Sequence, residues 1–193
     1  MGNLIEDLMG TLGGDLTSQL SNAVGIDQNT AAKLIPAVAP MILAGLKKQK
    51  DEFGGTERVD HILNKYGSPS VLDNLSELFN SKAKDENADP RLGGLLGDAG
   101  VQASNLISKQ FNVDGNTATK IIPMLAPVIL GFLTKKRDQD GLGSSGIASL
   151  LDQDGDGSIL DDVAGFLMQG LGGSSSGGGI LGGLLGGLFG SKK

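Results

Sequence analysis

Two stretches decide the architecture: Ala23–Lys48, AVGIDQNTAAKLIPAVAPMILAGLKK, and Gln110–Lys135, QFNVDGNTATKIIPMLAPVILGFLTK. Set at an offset of 87, half of their positions are identical, among them Asp27/Asp114, Thr30/Thr117, Lys33/Lys120, Pro36/Pro123 and Pro40/Pro127. Most of the remaining pairs exchange one small or aliphatic residue for another. After one inserted residue the match continues at an offset of 88, where Val59 meets Ile147, Leu63 meets Leu151, Leu72 meets Leu160, Asp73 meets Asp161 and Leu75 meets Val163. Self-similarity at a fixed period is the mark of a tandem duplication. The chain divides into a first copy at 1–82, a charged linker at 83–91, a second copy at 92–171 and a tail at 172–193.

Both copies read as helical. Asp27 and Asp114 are good N-cap residues, followed by apolar positions at three- and four-residue spacing. A proline inside a helix costs about 3 kcal/mol, so Pro36 and Pro123 predict a break or kink, with an apolar helix resuming and running in the first copy through Leu46. Lys47 and Lys48, and Lys135 and Lys136, then fall at helix C-termini, where cations suit the dipole better than they suggest a nucleic-acid patch. Further helices are predicted at 4–12, 15–23, 55–66 and 69–80, and in the second copy at 92–97, 99–111, 146–151 and 159–170. Sustained alternation is absent and Val and Thr are sparse, so the class is all-α, a multihelical bundle of two tandem repeats with a Gly-rich apolar C-terminal tail.

Composition excludes much. The 193 residues include no cysteine or tryptophan, one histidine (His61) and one tyrosine (Tyr66), which leaves no disulfide, thiolate metal site, cysteine nucleophile or two-histidine relay. Residues 1–137 hold 15 acids and 14 bases, whereas residues 138–191 hold seven acids and no base. That local field repels phosphate and attracts cations, which argues against nucleic acid. The start, MGNLIEDLMG, has Glu6 and Asp7 where a secretory signal needs positive charge. No apolar run reaches the ~20 residues that span a bilayer. The expected location is the cytoplasm, with secretion by a signal-free route left open.

The sharpest chemical signal is Asp152-Gln153-Asp154-Gly155-Asp156-Gly157-Ser158-Ile159. Aspartates at positions 1, 3 and 5, glycine at 6 and an aliphatic at 8 reproduce the first half of a calcium loop, in which alternating carboxylates turn inward around the ion. The carbonyl of Ser158 takes position 7. Position 12 is Val163 rather than a bidentate glutamate, so Asp162 is the residue expected to complete the shell of Asp152, Asp154, Asp156 and Ser158. The aligned residues of the first copy, Asn64, Tyr66 and Ser68, carry no carboxylate, and no ion is expected there. A bare acidic turn and a magnesium site are the alternatives. Asp138-Gln139-Asp140-Gly141 reads as a plain loop.

The capped starts Gly25-Ile-Asp-Gln-Asn-Thr-Ala-Ala-Lys33 and Asn112-Val-Asp-Gly-Asn-Thr-Ala-Thr-Lys120, the paired prolines, the LGGLLG stretches and the late Asp-Gly-Asp-Gly loop together resemble the YidB-like family of uncharacterised bacterial proteins, over about residues 1–170. The resemblance implies a compact multihelical fold and no accepted activity. Fold alone does not supply a function.

Enzyme signatures are lacking: His61 has no partner in the pattern around it, and no GxSxG, Walker or dinucleotide fingerprint occurs. No small-molecule substrate is suggested. Gly172–Gly179 is a flexible spacer. Beyond it Ile180, Leu181, Leu184, Leu185, Leu188 and Phe189 form apolar pairs separated by glycine pairs. As a helix this segment sets a leucine ridge beside a glycine groove, yet each interior glycine costs ~1 kcal/mol, so it needs a surface to hold it. Disorder, docking on this chain or a second copy, and shallow insertion into a membrane surface are three readings of the tail. The reading adopted is a non-enzymatic structural or interaction protein, self-associating into a homo-oligomer or binding a protein partner, with calcium in the second copy. A membrane-surface protein anchored by the tail is the alternative.

Overall fold

The computed structural model describes residues 4–153, which form seven α-helices, two 3₁₀ turns and no strand. The helices are α1 (Leu4–Val24), α2 (Gln28–Phe53), α3 (Gly55–Tyr66), α4 (Leu75–Ala83), α5 (Asp98–Gln110), α6 (Gly115–Asp138) and α7 (Gly143–Gln153). The 3₁₀ turns are Pro69–Leu72 and Leu92–Gly94. The duplication is visible element by element, since α5, α6 and α7 repeat α1, α2 and α3.

Local chemistry explains the repeated geometry. Asp27 accepts the amide of Thr30 at 2.9 Å and Asp114 that of Thr117 at 3.0 Å, so α2 and α6 begin with the same cap. Just upstream, Ser21 donates to the carbonyl of Ile26 and Ser108 to that of Val113, each at 2.6 Å. Between them the chain reverses through a left-handed residue, Gly25 (φ 71°) or Asn112 (φ 51°), both residue types that tolerate it.

Several predicted boundaries are corrected. α2 and α6 run unbroken through Pro36 and Pro40, and through Pro123 and Pro127. Each proline removes one backbone bond, but Leu34, Ile35, Val38, Met41, Ile42 and Leu46 are all at most 1% exposed. At ~1.5–3 kcal/mol for each buried side chain, this packing outweighs a penalty of about 3 kcal/mol per proline. α2 continues to Phe53, so Lys47 and Lys48 lie before its last turn rather than at its end. α1 is one helix across Gly13-Gly14, pinned by the buried Leu8, Leu16 and Leu20. The predicted helix at 69–80 is a 3₁₀ turn followed by α4, and the one at 92–97 is a second 3₁₀ turn.

One core serves both copies. α6 packs against every other α-helix and against the Pro69–Leu72 turn. The contacts are reciprocal: α1 on α2 matches α5 on α6, α2 on α3 matches α6 on α7, and α3 on α6 matches α7 on α2. Each copy therefore lays its third helix on the long helix of the other, the relation of a twofold dimer built within one chain. The predicted linker at 83–91 begins on the last residue of α4 and is otherwise irregular but held, with Asp85 and Asp89 accepting the amides of Asn87 and Arg91 and Pro90 buried against α5.

Candidate functional site

Asp152 lies in the last turn of α7, so its backbone is placed on a helix end rather than in the loop. Its side chain, together with Asp154, Asp156, Ser158 and Asp162, lies outside the described residues, as do the tail residues Ile180, Leu181, Leu184, Leu185, Leu188 and Phe189. Among the described residues no three His, Asp or Glu side chains converge on a point where a metal could sit.

The first-copy counterpart of the acidic turn is described, and its construction is informative. α3 ends at Tyr66, and Gly67 donates its amide to the carbonyl of Leu63 at 2.8 Å. Gly67 is pressed onto α6: a Cβ there would fall 2.5 Å from Thr134 Oγ1 and 2.6 Å from the carbonyl oxygen of Leu130. Asn64 accepts a hydrogen bond from Arg137 at 2.7 Å, and the hydroxyls of Ser68 and Ser70 lie 2.8 Å apart. The turn is thus closed by glycine packing, the Arg137 bond to Asn64 and the serine hydroxyls, with no carboxylate in its ring.

Charged residues at the end of α6 join the two copies. Arg137, whose side chain is 10% exposed, reaches Asp60 on α3 at 3.0 Å and Asp138 at 2.6 Å. Asp138 first, then Asp60, raises the Arg137 pKa above its ordinary value, while Arg137 holds Asp138 below the usual carboxylate range. Lys136 bridges Asp140 at 3.0 Å and Asp7 on α1 at 3.3 Å, contacts that raise its pKa, with Asp140 the larger cause. Lys120 donates to the carbonyl of Ala83 at 2.7 Å and so caps α4 from α6. The short acidic run at 138–140 is engaged with the cations of its own helix. Sequence patterning did not reveal these cross-copy contacts. The signal was the recurrence of cations at aligned positions, Lys33 with Lys120 and Lys50 with Arg137.

Open surface chemistry is modest. A shallow cleft of 440 Å³ lies between α1 and α4, lined by polar groups that include Asp15, Gln19, Asn74, Glu77 and Asn80. His61 is exposed on α3. α2 and α6 are long and apolar enough to cross a membrane, which corrects the expectation that no run approaches that length. The apolar windows of these helices are 61% and 78% buried within the bundle, as in the core helices of a soluble protein.

A family model described as "Bacterial protein of unknown function (DUF937)" matches residues 6–136 and again 134–193. The chain belongs to this family. Membership agrees with the resemblance to an uncharacterised bacterial helical family carried in tandem, and it extends over the acidic turn and the tail. No curated protein and no solved structure matches the chain.

Proposed function

We propose that this DUF937 member is a non-enzymatic, cytoplasmic interaction protein that self-associates through its C-terminal Gly/Leu tail, with a calcium-stabilised turn in the second copy fixing the root of that tail. One observation carries the tail's role. The hexapeptide LGGLLG occurs twice, at 92–97 and at 181–186. At 92–97 the backbone is left-handed at Leu92, Gly93, Gly94 and Gly97. This conformation suits glycine, and it turns Leu95 and Leu96 onto α2, where they are 9% and 6% exposed. Gly45 of α2 provides the close approach, for a Cβ there would lie 2.8 Å from Leu96 Cδ2 and 2.9 Å from the carbonyl oxygen of Leu95. The tail carries Leu184 and Leu185 at the matching positions, behind a spacer of glycine and serine that gives them reach. A sequence that buries two leucines when seated is suited to dock on a helix surface of a second copy.

Light scattering on the full chain and on a chain ending at residue 171 tests this. The full chain should form a homo-oligomer and the shortened chain a monomer, with Leu184→Asp/Leu185→Asp matching the shortened chain. Equal masses throughout would remove the reading. Tail-dependent flotation with liposomes, without self-association, would favour the membrane-surface alternative.

The calcium part is supported by the first-copy turn, which forms around Asn64, Tyr66 and Ser68 without a carboxylate among them. Asp152, Asp154 and Asp156 are therefore not demanded by such a turn, and their mutual repulsion favours a bound cation. Calcium should raise the thermal midpoint of the full chain, and Asp152→Ala/Asp154→Ala should abolish the rise. No rise at millimolar calcium would sink it.

A further inference from the structure

We propose that residues 159–171 dock on the face of α2 that carries Pro36, Pro40 and Ala44, completing in the second copy the contact that the Pro69–Leu72 turn and α4 make with α6. This inference goes beyond the calcium reading and does not depend on it.

The reciprocal packing sets the frame. In the first copy the segment after α3 lies along α6: Lys120 caps α4 at Ala83, and a Cβ on Gly131 would lie 2.8 Å from the carbonyl oxygen of Ser68 and 2.9 Å from Val71 Cγ2. α7 already occupies on α2 the place that α3 occupies on α6. The segment following α7 is therefore delivered to the matching stripe of α2. That stripe is the less covered of the two. Pro123, Gly131 and Thr134 are buried on α6, whereas their counterparts Pro36, Ala44 and Lys47 are only half-buried, and Lys33 is exposed where Lys120 is half-buried.

The occupant carries the right side chains. Ile159, Leu160, Val163 and Leu167 align with Val71, Leu72, Leu75 and Phe79. In the first copy Leu75 and Phe79 are 7% and 0% exposed. A paired exchange marks the same interface on α5. Gln19 and Asn80 face one polar cleft between α1 and α4, and their counterparts are Leu106 and Met168. Leu106 is 37% exposed on the described surface, a large apolar residue at the position where the first copy has a polar one. Both walls of the corresponding cleft have changed from polar to apolar together, as closing it into a buried contact requires.

The chain has no cysteine, so a double variant reads the contact directly. In the first copy Gly131 and Val71 are direct neighbours, a Cβ on Gly131 falling 2.9 Å from Val71 Cγ2, and a disulfide needs Cβ atoms ~3.5–4.5 Å apart. Ala44→Cys/Ile159→Cys should therefore oxidise to an intramolecular disulfide in most molecules, running as a monomer on a non-reducing gel, with calcium and with a chelator alike. Free thiols would overturn the proposal. A disulfide-linked dimer would overturn it too, by assigning the α2 face to the segment of a second copy. Hydrogen exchange on the unaltered chain gives a reading free of any folding defect in the variant. Amides of 160–171 should exchange about tenfold or more slower than in a free peptide, and free-peptide rates would refute docking. Cross-linking that persists without a calcium response would leave the docking intact and remove only the metal.

Discussion

α2 and α6 share half of their aligned residues, the same cap and the same pair of prolines, yet they occupy different surroundings. α6 is enclosed, with every residue from Ile121 to Thr134 buried except the half-buried Pro127, while α2 keeps the stripe Pro36, Pro40 and Ala44 only partly covered. Duplicated sequence reproduces local geometry, because a cap or a turn is closed by residues three to five apart. Coverage comes from distant segments, and it differs wherever the two copies have diverged or are differently flanked.

The comparison breaks most sharply at an aligned pair of glycines, Gly13 on α1 and Gly100 on α5. A Cβ on Gly100 would fall 2.0 Å from the carbonyl oxygen of Pro90, a backbone atom that cannot swing aside. Gly100→Ala should destabilise the protein by about 3 kcal/mol or more, at or beyond the upper range for overpacking, as read from urea denaturation. Next is Arg137. Arg137→Ala removes its contacts to Asp60 and Asn64 and leaves Asp60 without its cross-copy cation. A loss of about 2 kcal/mol is expected for hydrogen bonds to a charged group. A double-mutant cycle with Asp60→Asn should show coupling, and additivity would show that the bridge does not tie α6 to α3.

The two caps should behave alike. Asp27→Ala and Asp114→Ala should each lower the urea midpoint, and by the same amount. Both carboxyls titrate below their ordinary value, chiefly through the hydroxyls of Thr30 and Thr117 and then through the backbone amides. A carboxyl whose folded pKa is depressed stabilises the fold above its unfolded value, about 3.9, and loses that contribution as pH falls through the folded one. The gap between parent and variants should therefore close in the acid range below about pH 4. Unequal costs at neutral pH would show that the copies differ even locally. The smallest effect belongs to Gly13→Ala, where the new methyl meets the mobile end of Met9 at 3.1 Å. Relieving a helix-interior glycine should stabilise by about 0.5 kcal/mol, in contrast to its partner Gly100.

What the sequence disclosed and what it withheld divide along the same line. The duplication, the all-helical class and the Asp27 and Asp114 caps were readable because each is decided within a few residues. The continuity of α2 and α6 was not, since the buried side chains that overcome the prolines acquire their value only against the helices packed around them. Lys136 looked like dipole compensation, and only the placement of α1 shows it as a tie between copies through Asp7. The acidic turn was legible as a pattern, and its first-copy counterpart showed what a pattern cannot, that Gly67 is held by contact with Thr134 and Leu130 rather than by local bonds alone.

The shared core has a consequence for how the molecule comes into being. During synthesis α2 leaves the ribosome long before α6 and α7, the helices that cover the part of its apolar surface not taken by α1 and α3, and contacts so far apart in the chain slow folding. The nascent first copy must wait, with one side of an oily helix uncovered, for its own sequence to be written a second time.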